Sequence, residues 1–186
     1  MADPGGIMLT DFYISFSATC FTILSLWLVV VQARFGQWSA DRALQRRSYG
    51  IALHFSLPGL MTLISLVDPL SPALWRTSYA IISLGGAVVI VAVRGKAPDK
   101  LGTAAYIAAI VLYVVIGIVA INPHIIKGLG LTAAPVRVEA VLLCLLVFLG
   151  VNVAWLLLYA VSPAGAPRPA ARGTGSDPAA EVTGAG

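Results

Sequence analysis

The chain has 186 residues, of which 59% are hydrophobic and only 11% charged, and a mean hydropathy of +0.90. A soluble domain carries about 25% charged residues, so a water-facing globule is excluded and lipid is the solvent that fits. The formal net charge of +4 comes from basic residues between long uncharged runs, without the aromatic and basic interleaving of a nucleic-acid surface. It therefore reads as a signal for orientation in a bilayer, with no nucleic-acid partner.

A spanning helix needs about 20 mostly apolar residues, because ~30 Å of hydrocarbon is crossed at ~1.5 Å per residue. Met1 to Asp11 is a short leader, read as the outer end of a retained first helix. The first run, 12–33, lacks the basic n-region and small-residue cleavage site of a secretory signal. The second run, 48–67, lies between Arg47 and Asp68. The third, 77–93, lies between Arg76 and Arg94 and is short at 17 residues; it is expected to stand upright or sit partly in the interface, helped by snorkelling arginines. The fourth, 101–122, ends before Pro123, and the fifth, 140–161, follows Glu139 and stops at Ser162-Pro163. Residues 162–186, rich in Pro, Ala and Gly, cannot bury a core and read as a disordered cytoplasmic tail.

Backbone groups in lipid must be satisfied within the segment, so the runs are helices, and the ~10-residue alternating segments of a barrel are absent. The fold expected is all-α: a polytopic transmembrane bundle over 1–161 with five spans. Orientation follows from Lys and Arg. With the N-terminus outside and the C-terminus cytoplasmic, the inner segments hold Arg34, Arg42, Arg46, Arg47, Arg94, Lys96, Lys100, Arg168 and Arg172, nine in all. The outer segments hold three, Arg76, Lys127 and Arg137, a clear positive-inside bias. The expected place is the cell membrane, as a multi-pass protein.

Polar groups inside a span cost free energy unless paired, so they mark where function hides. In the second run His54 sits four residues before Pro58, which lacks an N–H and leaves the His54 carbonyl free at an expected kink. In the first run Asp11, Ser15, Ala18, Thr22, Ser25, Val29 and Gln32 follow helical spacing and suit close packing or a narrow polar path. Asn152 lies within the fifth run. Measured from the cytoplasmic ends of their spans, His54 is about 9 Å deep, Ser25 about 12 Å and Asn152 about 14 Å. The three are expected to share one polar layer inside the bundle.

Asp11, Asp68 and Glu139 fall at outer helix ends and read as solvated rim charges. Trp75 and Tyr79 on one side, with Tyr49, Tyr106, Trp155 and Tyr159 on the other, resemble interfacial belts. Ala104, Ala108, Ala105, Ala109 and the pair Gly85-Gly86 suit close helix packing. Cys20 and Cys144 lie in apolar runs and read as packing residues.

No catalytic motif, metal-ligand spacing or phosphate loop appears, so no cofactor is expected. An intramembrane enzyme has only one visible reactive group, where at least two must converge. A small transporter or channel for protons or a small solute, built around His54, is the alternative. The main expectation is a subunit or accessory partner of a membrane assembly, pairing with another membrane protein or with its own copies.

Overall fold

A computed structural model of the chain describes residues 4–39, 41–68, 71–93, 100–128, 130 and 134–160. Among them are helices and no strand: α1 (Pro4–Ala33), α2 (Phe35–Trp38), α3 (Arg42–Val67), α4 (Pro72–Val93), α5 (Lys100–Ile121), α6 (His124–Gly128) and α7 (Pro135–Ala160). Five of them, α1, α3, α4, α5 and α7, are long and apolar enough to cross a membrane. The tail expected over 162–186 lies outside the described residues, as do Arg94 and Lys96.

The helices run past the uncharged stretches because their ends are set by caps rather than by charges. Asp41 starts α3: its carboxylate accepts from the N–H of Ala43 at 2.7 Å and of Leu44 at 3.4 Å, satisfying donors with no intrahelical acceptor. Arg42, Arg46 and Arg47 thus form the first turns of α3. Ser71 starts α4, its Oγ accepting from the N–H of Leu74 at 3.3 Å, and Pro72 takes the first helical position, where a missing N–H is harmless. The third span is therefore a full 22-residue helix, which removes the shortfall expected from its 17 uncharged residues.

What hid this length is Arg76, which lies within α4 instead of bounding it. Its guanidinium donates to the carbonyls of Ala120 at 3.0 Å and Ile121 at 2.8 Å. These are among the last carbonyls of α5, which have no intrahelical donor, and a cation there also meets the negative end of the helix dipole.

Helix α3 packs against α1, α4 and α7, and α5 closes the circuit by packing against α4 and α7. The result is a four-helix ring, α3–α4–α5–α7, with α1 laid along α3 on the outside. The ring interior holds Met61, Tyr79, Ile90, Tyr113, Ile116, Leu143 and Leu146. A second cluster between α1, α2, α3 and α7 holds Cys20, Trp27, Trp38, Ile51, Phe55, Val147 and Leu157.

The central helix is also the most buried of the five, yet α5 and α7 are the more apolar. Lipid accepts apolar side chains as readily as the bundle interior does, so the polar groups are the ones drawn inward. Ser48, His54, Thr62 and Ser65 of α3 are all buried. Two glycines let the ring close. A Cβ at Gly150 would lie 2.6 Å from the Cβ of His54, and one at Gly86 would lie 2.7 Å from Cδ1 of Leu57. Of the alanines expected to pack, Ala109 is buried, whereas Ala104 and Ala108 are exposed.

Candidate functional site

His54 stands inside the bundle, 5% exposed, where α7 comes close enough for Gly150 to touch it. Its Nδ1 lies 2.7 Å from the carbonyl of Gly50, four residues back, so that nitrogen carries the proton and donates. Nε2 is buried and has no hydrogen-bond partner among the described residues. The ring meets Tyr113 edge-on at 6.2 Å, while the Tyr113 hydroxyl donates to the carbonyl of Leu53 at 3.1 Å. α3 continues unbroken through Pro58, which is buried. Beyond it Thr62 donates to the carbonyl of Pro58 at 3.1 Å.

The expected polar layer is not formed. Asn152 and Ser25 both stand on the outer surface of the bundle, away from His54. The cause is angular: each residue turns a helix by about 100°, so two positions separate near-opposite faces. In α7 Gly150 faces His54, and Asn152 therefore faces out. In α1 Trp27 faces α3, where its Nε1 donates to the carbonyl of Ser48 at 3.1 Å, and Ser25 faces out. The whole stripe Asp11, Ser15, Ala18, Thr22, Ser25, Val29 and Gln32 is exposed. The inward face is Tyr13, Ser17, Cys20 and Trp27. The hydroxyls of Thr19, Thr22 and Ser25 each donate at 2.8 Å to the carbonyl four residues back, so they need no second helix.

The rim charges divide. Asp11 and Asp68 are exposed, but Glu139 is 0% exposed, and neither carboxyl oxygen has a hydrogen-bond partner among the described residues. It is no solvated loop end. Helix α7 starts at Pro135, which puts Glu139 about 6 Å into the helix on the same face as Leu143, Leu146 and Gly150, all buried. Tyr79, expected in an interfacial belt, is also buried, and its hydroxyl closes no hydrogen bond among the described residues. Tyr13, from α1, reaches over to α7 and donates to the carbonyl of Val136 at 3.5 Å. Glu139 acts electrostatically on both phenols, and Tyr79 Oη neighbours Tyr13 and Ser65 without closing a hydrogen bond of ordinary geometry. Four helices thus bring one carboxyl and three hydroxyls together just below the end where the chain enters.

The signal for Glu139 was present in the sequence as its helical register with Leu143, Leu146 and Gly150. Treating every charge as the limit of a span concealed it. Compared with known proteins, the chain matches no protein-family model, no curated protein and no solved structure.

Proposed function

We propose that the protein is a multi-pass protein of the cell membrane, N-terminus outside and C-terminus cytoplasmic. In this reading it works without catalysis, as a subunit or packing partner of a larger membrane assembly. The observation that carries it is Asn152. Its carboxamide stands on the outer surface of α7, eight residues before Ala160 and so about 12 Å from the helix end. One N–H donates to the carbonyl of Phe148 at 2.7 Å, which leaves the second N–H and the oxygen available to an outside partner. An amide held against hydrocarbon favours a second transmembrane helix that bonds it, worth about 0.6–2 kcal/mol. The outward stripe of α1, with Ser15, Ala18, Thr22 and Ser25, supplies a small-residue surface on which the hydroxyls of Thr22 and Ser25 are satisfied within the helix.

The test is purification from native membranes in mild detergent with cross-linking beforehand. A stable partner or homo-oligomer is expected, weakened in Asn152→Leu; a lone monomer from cross-linked native membranes rejects the reading. The orientation rests on the nine-to-three charge bias, and a C-terminal reporter active only in the periplasm or lumen would reverse it.

A second reading, a small transporter or channel for protons or a small solute, is favoured by the buried, unpartnered Nε2 of His54. Liposome flux that His54→Ala leaves undiminished removes His54 from any such pathway.

A further inference from the structure

Glu139 is the one carboxyl among the described residues that is fully buried, and both of its oxygens lack a hydrogen-bond partner. Burial of an unpaired carboxylate costs several kcal/mol or more in real proteins, so a positive charge must meet it. The described side chains do not provide one. Arg76, the basic residue of α4, gives its guanidinium to the carbonyls of Ala120 and Ile121. Arg137 lies two residues away on α7 and is exposed, as is His124 on α6. From α1 the titratable group within electrostatic reach of Glu139 is Tyr13, and from α4 it is Tyr79. Ser65 of α3 adjoins Tyr79, and the last turns of α5, Ile116 to Ile121, contain no titratable side chain. Asp11 and Asp68 lie exposed at the same end.

We propose that Glu139, Tyr13, Tyr79 and Ser65 form a binding site for one small monovalent cation, a proton or an alkali ion. The donor set is all oxygen: one carboxylate, two phenols and one hydroxyl, with the Tyr13 proton given to the carbonyl of Val136 and the Ser65 proton to that of Met61, so that both oxygens keep lone pairs for the ion. One carboxylate balances one positive charge, and a divalent ion would leave a net charge in a low-dielectric interior. The site residues are 0% (Glu139), 1% (Tyr79), 5% (Tyr13) and 6% (Ser65) exposed, an enclosure that suits a bare ion. Glu139 lies about one helical turn below the start of α7, so the ion enters from the end that carries Asp11 and Asp68. The site depends on interior geometry alone and is independent of what covers the outer face of α7.

The test uses the full chain in liposomes and dicyclohexylcarbodiimide, a lipid-soluble reagent. Its central carbon takes the carboxyl oxygen while the carboxyl proton passes to a nitrogen, so only a protonated carboxyl reacts. Labelling is read at the Glu139 peptide by mass spectrometry, with Glu139→Gln as the control for position. A proton site is labelled, and labelling falls at least about tenfold between about pH 6 and pH 9, with no response to NaCl, KCl or choline chloride. An alkali site is labelled at low pH and protected at fixed pH by NaCl or KCl but not by choline chloride. Glu139 that is never labelled, or is labelled regardless of pH and ions, overturns the proposal. Tyr79→Phe keeps the ring and removes one oxygen. It should shift the half-point of labelling by about tenfold in proton or ion concentration, and an unshifted half-point removes Tyr79 from the site.

Discussion

A residue two positions along a helix points about 200° away, and in α7 that rotation separates a contact with the core from a contact with the outside. Gly150 meets His54 so closely that a Cβ would lie 2.6 Å from another Cβ, a distance that neither backbone nor a flexible tip can relax. Gly150→Ala is therefore expected to force α7 away from α3, costing about 1–3 kcal/mol as overpacking does. The measurement is a lowered thermal unfolding midpoint in detergent, with Gly85→Ala, which has open space around its Cβ position, unchanged. At this scale the sequence was informative about His54 as an interior group and misleading about Asn152 and Ser25. Depth along a span can be counted from its end, but the azimuth that decides which side chains meet depends on helix partners. Glu139 shows the converse, since its azimuth relative to Leu143 was readable while its depth was misjudged.

Among the elements, α1 is the one whose inner and outer faces were exchanged. Small and hydroxyl residues looked like a packing stripe, yet Cys20 and Trp27 make the contact with α3, and Tyr13 reaches α7. Larger rings cover more neighbouring surface, and the indole N–H finds an acceptor in the carbonyl of Ser48, whereas serine and threonine satisfy themselves on the previous turn. Trp27 also lies 6.0 Å from Trp38 of α2, so one side chain ties three elements. Trp27→Phe keeps an aromatic there and removes the donor. It is expected to destabilise by about 0.5–1.5 kcal/mol, read as a shift in the denaturant midpoint, while Ser25→Ala has no measurable effect. The existence and order of the five long helices were legible from charge-free runs. Their lengths were less so, because Asp41 and Ser71 set helix starts by hydrogen bonding, which run lengths do not reveal.

For the whole molecule, the arrangement makes a sharp distinction between the two cysteines. Cys20 is 0% exposed in the cluster between α1 and α3, and Cys144 is exposed on α7. In mild detergent at alkaline pH, with any partner removed, a maleimide should label Cys144 and leave Cys20 unreacted until the bundle is unfolded in sodium dodecyl sulfate; early labelling of Cys20 would place α1 elsewhere. The clasp between Arg76 and the end of α5 has a consequence for biosynthesis. α4 leaves the ribosome before the carbonyls of Ala120 and Ile121 exist, so its guanidinium enters the insertion machinery without acceptors. Arginine within a span opposes insertion by up to about 2.5–3.5 kcal/mol at the centre and less toward the ends. α4 should then await α5, the two entering lipid as a hairpin. A nascent chain that stops after α4 is expected to integrate poorly in a glycosylation-mapping assay, and Arg76→Leu should restore its integration.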